Sequence, residues 1–64
     1  MKDAITKLLD DIDKILKRDG KTCADIARDI GKDYHRVYLW VKTRKFKPRA
    51  DGIILLQQWR DKHA

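Results

Sequence analysis

Serine and glutamate are missing from this 64-residue chain, and cysteine, proline and phenylalanine occur once each. Without serine the commonest hydroxyl nucleophile is gone. The one thiol, Cys23, has no evident base partner and no second cysteine with which to close an internal disulfide. Two histidines, His35 and His63, stand too far apart in sequence to suggest a site, and no spacing resembles a metal-ligand cluster. The ten acids are all aspartate, most of them at solvent-facing positions of helical patterns. A nucleophile needs an activating base and a pocket that excludes water. Neither can be assembled here, so no enzymatic activity, metal or cofactor is expected. Long hydrophobic runs are also lacking. Nothing approaches the ~18–20 apolar residues that cross a bilayer, and the start of the chain has no signal-peptide core. A lone cysteine suits a reducing compartment. The expectation is a soluble cytoplasmic protein with no membrane partner.

Size imposes a further limit. A domain this small buries roughly 60% of the surface its unfolded chain exposes, and its core supplies a margin of ~3–5 kcal/mol. A deep substrate cavity does not fit, nor does a separate effector domain, so no small-molecule effector is expected.

What is abundant is positive charge, and it is segregated. The net value is +6, yet residues 1–20 carry five Lys/Arg and five Asp, which cancel. Residues 32–49 carry seven bases (Lys32, Arg36, Lys42, Arg44, Lys45, Lys47 and Arg49) against Asp33 alone. Charge gathered in one window is the footprint of a polyanion partner, most often nucleic acid. A solvated basic face without a partner is the plainer alternative.

Hydrophobic periodicity predicts helices throughout, in a single domain spanning 1–64. Ile5, Leu8, Leu9, Ile12, Ile15 and Leu16 make one amphipathic stripe over residues 3–19, with Asp3 as N-cap and Gly20 as terminator. This first helix is scaffold. Thr22 and Asp25 form a loose capping box before Cys23, Ile26, Ala27 and Ile30. That second helix is too short to persist alone in water and must be packed by neighbours. Gly31 ends it, Asp33 caps a third helix, and Val37, Trp40 and Val41 give that helix a core stripe. A basic loop is expected over 43–49, with Phe46 as its apolar anchor and Pro48 disfavouring helix at Lys47. A last helix runs over 50–62 and carries Ile53, Ile54, Leu55, Leu56 and Trp59. Trp40 and Trp59, at apolar helix positions, are core residues. The expected fold is an all-α bundle of about four helices.

Within residues 22–42, Ala27, Gly31, Val37 and Trp40 stand at the spacing A-x₃-G-x₅-V-x₂-W. A small residue at 27 lets two helices cross closely, and glycine at 31 permits the positive φ of a tight turn. Ile26, Ile30, Val37 and Trp40 then close a shared core. These residues resemble the helix-turn-helix of the lambda-repressor-like and Cro-like DNA-binding domains of phages and bacteria. The likeness extends over about residues 4–62: a preceding helix, a basic loop with a proline, and a following apolar helix all have counterparts. Two departures stand out. Lys32 occupies a position that is usually apolar in that family, and the family's usual fifth helix, often the dimer contact, has no counterpart here.

The resemblance implies sequence-specific binding of double-stranded DNA with the third helix in the major groove, in a small transcriptional regulator of a bacterial cell or its nucleoid, most directly a repressor occupying an operator. It implies base reading by Tyr34, His35, Tyr38 and Leu39, although either tyrosine can instead pack on the first helix and His35 can be merely exposed. Arg36 and Lys42 flank that face and either can reach a base or a phosphate, though only Arg36 has the forked geometry for bidentate contact with guanine. By the same likeness Thr22 and Cys23 set the second helix against the DNA backbone, through backbone N–H groups at its start; the Cys23 side chain reads as a small, half-buried packing residue. Arg44, Lys45, Lys47 and Arg49 read as phosphate clamps, which supply affinity rather than sequence choice. The Ile53–Leu56 run covers about 300° of a helix circumference, more than a small monomer buries. Ile54 or Leu55 is therefore left as an exposed strip suited to a homodimer on a palindromic operator. The rival reading is a protein-interaction module whose basic face engages an acidic partner.

Overall fold

Each helix of the helix-turn-helix half begins where a side chain takes up an orphan backbone N–H. In a computed structural model describing residues 3–64, Asp3 Oδ1 accepts the Thr6 N–H at 2.7 Å and opens α1 (Ala4–Asp19). Met1 and Lys2, part of the expected single-domain span, lie outside the described residues. Asp25 Oδ2 accepts the Thr22 N–H at 2.9 Å, completing a capping box at the start of α2 (Cys23–Ile30). Asp33 Oδ2 accepts the Arg36 N–H at 3.3 Å and opens α3 (Tyr34–Tyr38). The helical path continues as a π turn (Leu39–Thr43), and α4 (Ala50–His63) follows after a loop. Gly20 and Gly31 close α1 and α2 at φ 66° and 72°, the left-handed backbone that any Cβ strains. Among the described residues the architecture is an all-α bundle of four helices, with a helix-turn-helix formed by α2 and α3.

One core joins all of them. Leu8, Leu9, Ile12, Ile15 and Leu16 of α1 meet Cys23, Ile26 and Ala27 of α2, Val37 of α3, Trp40 and Val41 of the π turn, and Leu56 and Trp59 of α4. Trp59 also carries a polar handle. Its Nε1–H donates to Asp29 Oδ2 at 3.0 Å and fastens α4 to α2. The α1 stripe, the capping residues and the core placement of both tryptophans agree with the sequence pattern.

The loop is anchored differently from expectation. Phe46 is 62% exposed, whereas Pro48 is buried. The reason lies in α4. Gly52 is buried, and a Cβ built there would stand 3.0 Å from Trp40 Cη2 and 3.3 Å from Pro48 Cβ. Pro48 and the Trp40 ring therefore occupy the space that a side chain at 52 would need, and the proline becomes the anchor. The role of Gly52 is not legible in the sequence, because it lies inside a helical pattern and its φ is not left-handed; glycine is there for room. Gly52→Ala should gain about 1 kcal/mol of helix propensity and lose more by displacing Trp40. A net cost of about 1 kcal/mol, or a thermal midpoint lowered by roughly 4–8 °C, is expected by circular dichroism.

Candidate nucleic-acid interface

At about 100° per residue, the burial of Val37 fixes where every other α3 side chain goes. His35 and Leu39 lie nearly opposite Val37, Tyr34 and Tyr38 occupy one flank, and Arg36 occupies the other. Tyr34 is 51% exposed and Tyr38 39%. Their rings face each other with centroids 6.1 Å apart, tilted by 34°. Neither tyrosine belongs to the core. His35 and Arg36 are exposed and Leu39 is half-buried. These five residues come together as one outward surface.

Lys42 is also exposed, but it is tied back to α1. Its Nζ donates to Asp13 Oδ1 of α1 at 2.6 Å. Arg44, expected to clamp phosphate, is likewise tied to α1 although it is exposed. Its Nη2 lies 2.7 Å from Asp10 Oδ1, and its Nε donates to the Val41 carbonyl at 3.2 Å. Arg44 sits at φ 57°, the one non-glycine residue with positive φ among those described, and these two interactions hold it there.

The remaining cations divide in two. Lys32 pairs with Asp51 at 3.3 Å, and Lys47 stands 4.0 Å from Asp3 with both side chains well exposed. Exposed pairs of this kind are worth little and open readily. Among the described residues Arg36, Lys45 and Arg49 have no acidic partner. The basic window is thus partly neutralised from within, chiefly by the α1 acids Asp10 and Asp13. Sequence reasoning misses these acids because their partners lie about thirty residues away, at separations such as 29 for Asp13 and Lys42.

At the start of α2, Thr22 is exposed and Cys23 buried. At 3% exposure the Cys23 side chain is a packing group of the core and does not reach outward, and the same burial pushes its thiol above the ordinary value. The Asp25 carboxylate that accepts the Thr22 N–H also pairs with Arg28 at 3.0 Å. A negative charge therefore already stands at this helix start. Between α3 and the loop lies an open groove of about 630 Å³, bordered by Lys32, Arg36, Trp40, Phe46, Lys47 and Arg49 and also by the carboxylates Asp33 and Asp51. On α4, Ile54 is 53% exposed and Leu55 half-buried.

The ion pairs carry a pH signature. The hydrogen bond from Lys42 holds the Asp13 carboxyl below its ordinary 3.8, and backbone N–H bonds do the same for Asp3 and Asp25. A depressed folded-state value means that the unfolded chain binds more protons as pH falls. Stability should stay level from neutral pH down to about pH 5 and then drop as the pH passes 3.8 and the lower folded values. Urea midpoints measured against pH should trace that limb, and Asp13→Asn should flatten it.

Comparison with protein-family models, with curated proteins and with solved structures returns no match. No described helix is long and apolar enough to cross a membrane.

Proposed function

We propose that this chain binds double-stranded DNA in a sequence-specific way, with α3 in the major groove, and acts as a small transcriptional regulator, most directly a repressor that occupies an operator. The observation that carries this reading is the outward surface of α3. Tyr34, His35, Arg36 and Tyr38 are exposed on a helix whose opposite side is locked into the core by Val37, Trp40 and Val41. Arg49 lines the same groove as Arg36, and neither it nor Lys45 has an acidic partner among the described residues. A rigid helix with an unpacked polar and aromatic face, flanked by free cations, suits base edges on the helix and phosphates on the flank. The sequence likeness to lambda-repressor-like and Cro-like domains supports the same reading. The exposed Ile54 supports a homodimer, which pairs naturally with a palindromic operator.

A second reading has its own support. Four bases of the window already hold aspartate carboxylates, so the same surface suits an acidic protein partner. Titrating genomic DNA fragments separates the two. A fragment bound far more tightly than bulk DNA is the expected result, and footprinting on the gene's own upstream region then locates the site. Equal, weak binding to every duplex favours the acidic partner.

A further inference from the structure

We propose that Phe46 is a minor-groove wedge, which inserts between base steps and kinks the duplex that α3 reads. This inference rests on the DNA-binding reading above and deepens it.

The first observation is that Phe46 is out of place. Among the described residues it is the most exposed of the large hydrophobic side chains, at 62%, and the buried Pro48 already anchors the loop. Folding draws little from it. The second is that both ends of its loop are pinned. Arg44 is held by Asp10 and by the Val41 carbonyl, the Lys45 N–H donates to Thr43 Oγ1 at 3.4 Å, and Pro48 is buried beside Gly52. The phenyl ring is presented from a short, braced tip instead of a slack loop, so insertion demands little further ordering. The third is the groove. It is lined by Trp40, by Arg36 of α3 and by Phe46, Lys47 and Arg49, and its two carboxylates are already engaged, Asp33 by the Arg36 N–H and Asp51 by Lys32. A DNA strand divides the major groove from the minor. If the guanidinium groups of Arg36 and Arg49 take a phosphodiester backbone between them, α3 lies on its major-groove side and Phe46 arrives on the minor-groove side. Apolar wedges entering there unstack base steps and bend DNA toward the major groove, with pyrimidine–purine steps the easiest to open. Lys45 and Lys47, next to Phe46 in sequence, supply charge for the flanking phosphates.

The test uses a short duplex with a central TA step, 2-aminopurine beside that step, and a donor and acceptor fluorophore at its ends, at low salt. Binding of the wild-type chain should raise 2-aminopurine fluorescence severalfold and bring the ends closer. Phe46→Ala should keep its thermal midpoint, bind roughly tenfold more weakly, as removal of one stacked aromatic implies, and produce neither signal. Phe46→Leu should restore part of both. Binding by the wild type with no unstacking and no bend overturns the wedge and leaves the α3 reading intact. Tighter binding to the single strand than to its duplex also overturns it, making Phe46 a stacking platform instead. Failure to bind any duplex at low salt removes the DNA reading, and the wedge with it.

Discussion

Leu56→Ala should cost most of this protein's folding margin, while Ile54→Ala, two residues away, should cost almost none. Leu56 is 0% exposed and Ile54 53%. Truncating a buried leucine destabilises by about 2–5 kcal/mol, the transfer of the removed methyl groups plus the cavity they leave. A core of this size supplies only ~3–5 kcal/mol in all. The thermal midpoint of Leu56→Ala should therefore fall by roughly 10–25 °C, with a substantial unfolded fraction already present at room temperature. Ile54→Ala should stay within a few degrees of wild type. If the two variants melt together, α4 is rotated about its axis relative to the bundle, and the exposed face assigned to Ile54 is wrong. The same Ile54→Ala chain serves the dimer proposal, since sedimentation on DNA should then show a weakened pair in a fully folded protein.

That contrast marks the limit of what periodicity shows. In α1 the apolar residues fall on one stripe and polar residues fill the rest, so facing and burial are both legible. Four successive apolar residues at 53–56 name no face, and only the fit of Leu56 and Trp59 against α1 and α2 settles which point inward. Capping is the opposite case. Asp3, Thr22 and Asp33 act on backbone groups within three residues, and both αL glycines act on their own φ, so the helix starts and stops are readable locally. The π turn is not. Its i→i+5 bonds follow from how Trp40 and Val41 must be seated in the core, not from any residue in Leu39–Thr43 alone. The pairing of Lys42 with Asp13 is no more legible locally, and the exposure of Phe46 has the same kind of cause. Sequence neighbours suggest one environment for each side chain, while Asp13, or Pro48 with Gly52, sets another through the tertiary fold.

The ion pairs also sharpen which cations should matter to DNA. Arg36→Ala and Tyr38→Ala, on the outward surface, should each cost ~1–3 kcal/mol on a preferred site if the side chain reads a base, and should barely change binding to bulk duplex. Neither residue belongs to the core, so both variants should melt like wild type. Lys45→Ala and Arg49→Ala should weaken preferred and bulk DNA alike. Each should also shallow the slope of log affinity against log salt by about 0.9, because a phosphate left un-neutralised keeps its condensed counterion. Lys47→Ala should behave similarly, since its 4.0 Å pairing with Asp3 is exposed and easily given up. Lys42→Ala and Arg44→Ala should not. Their charges are already matched by Asp13 and Asp10 at 2.6 and 2.7 Å, so the salt slope should hardly move, and any weakening should come with a lower melting temperature. Removing the opposing acid reverses the logic. Asp13→Asn leaves the exposed Lys42 without its counter-charge and should strengthen binding to all duplexes without changing which one is preferred. The decisive pattern is therefore a split within the basic window itself: unpartnered bases govern the salt slope, internally paired bases govern stability, and only Arg36 and Tyr38 govern sequence. Should Lys45→Ala abolish site preference while Arg36→Ala and Tyr38→Ala leave it intact, reading passes from α3 to the 44–49 loop, and the major-groove placement of α3 falls.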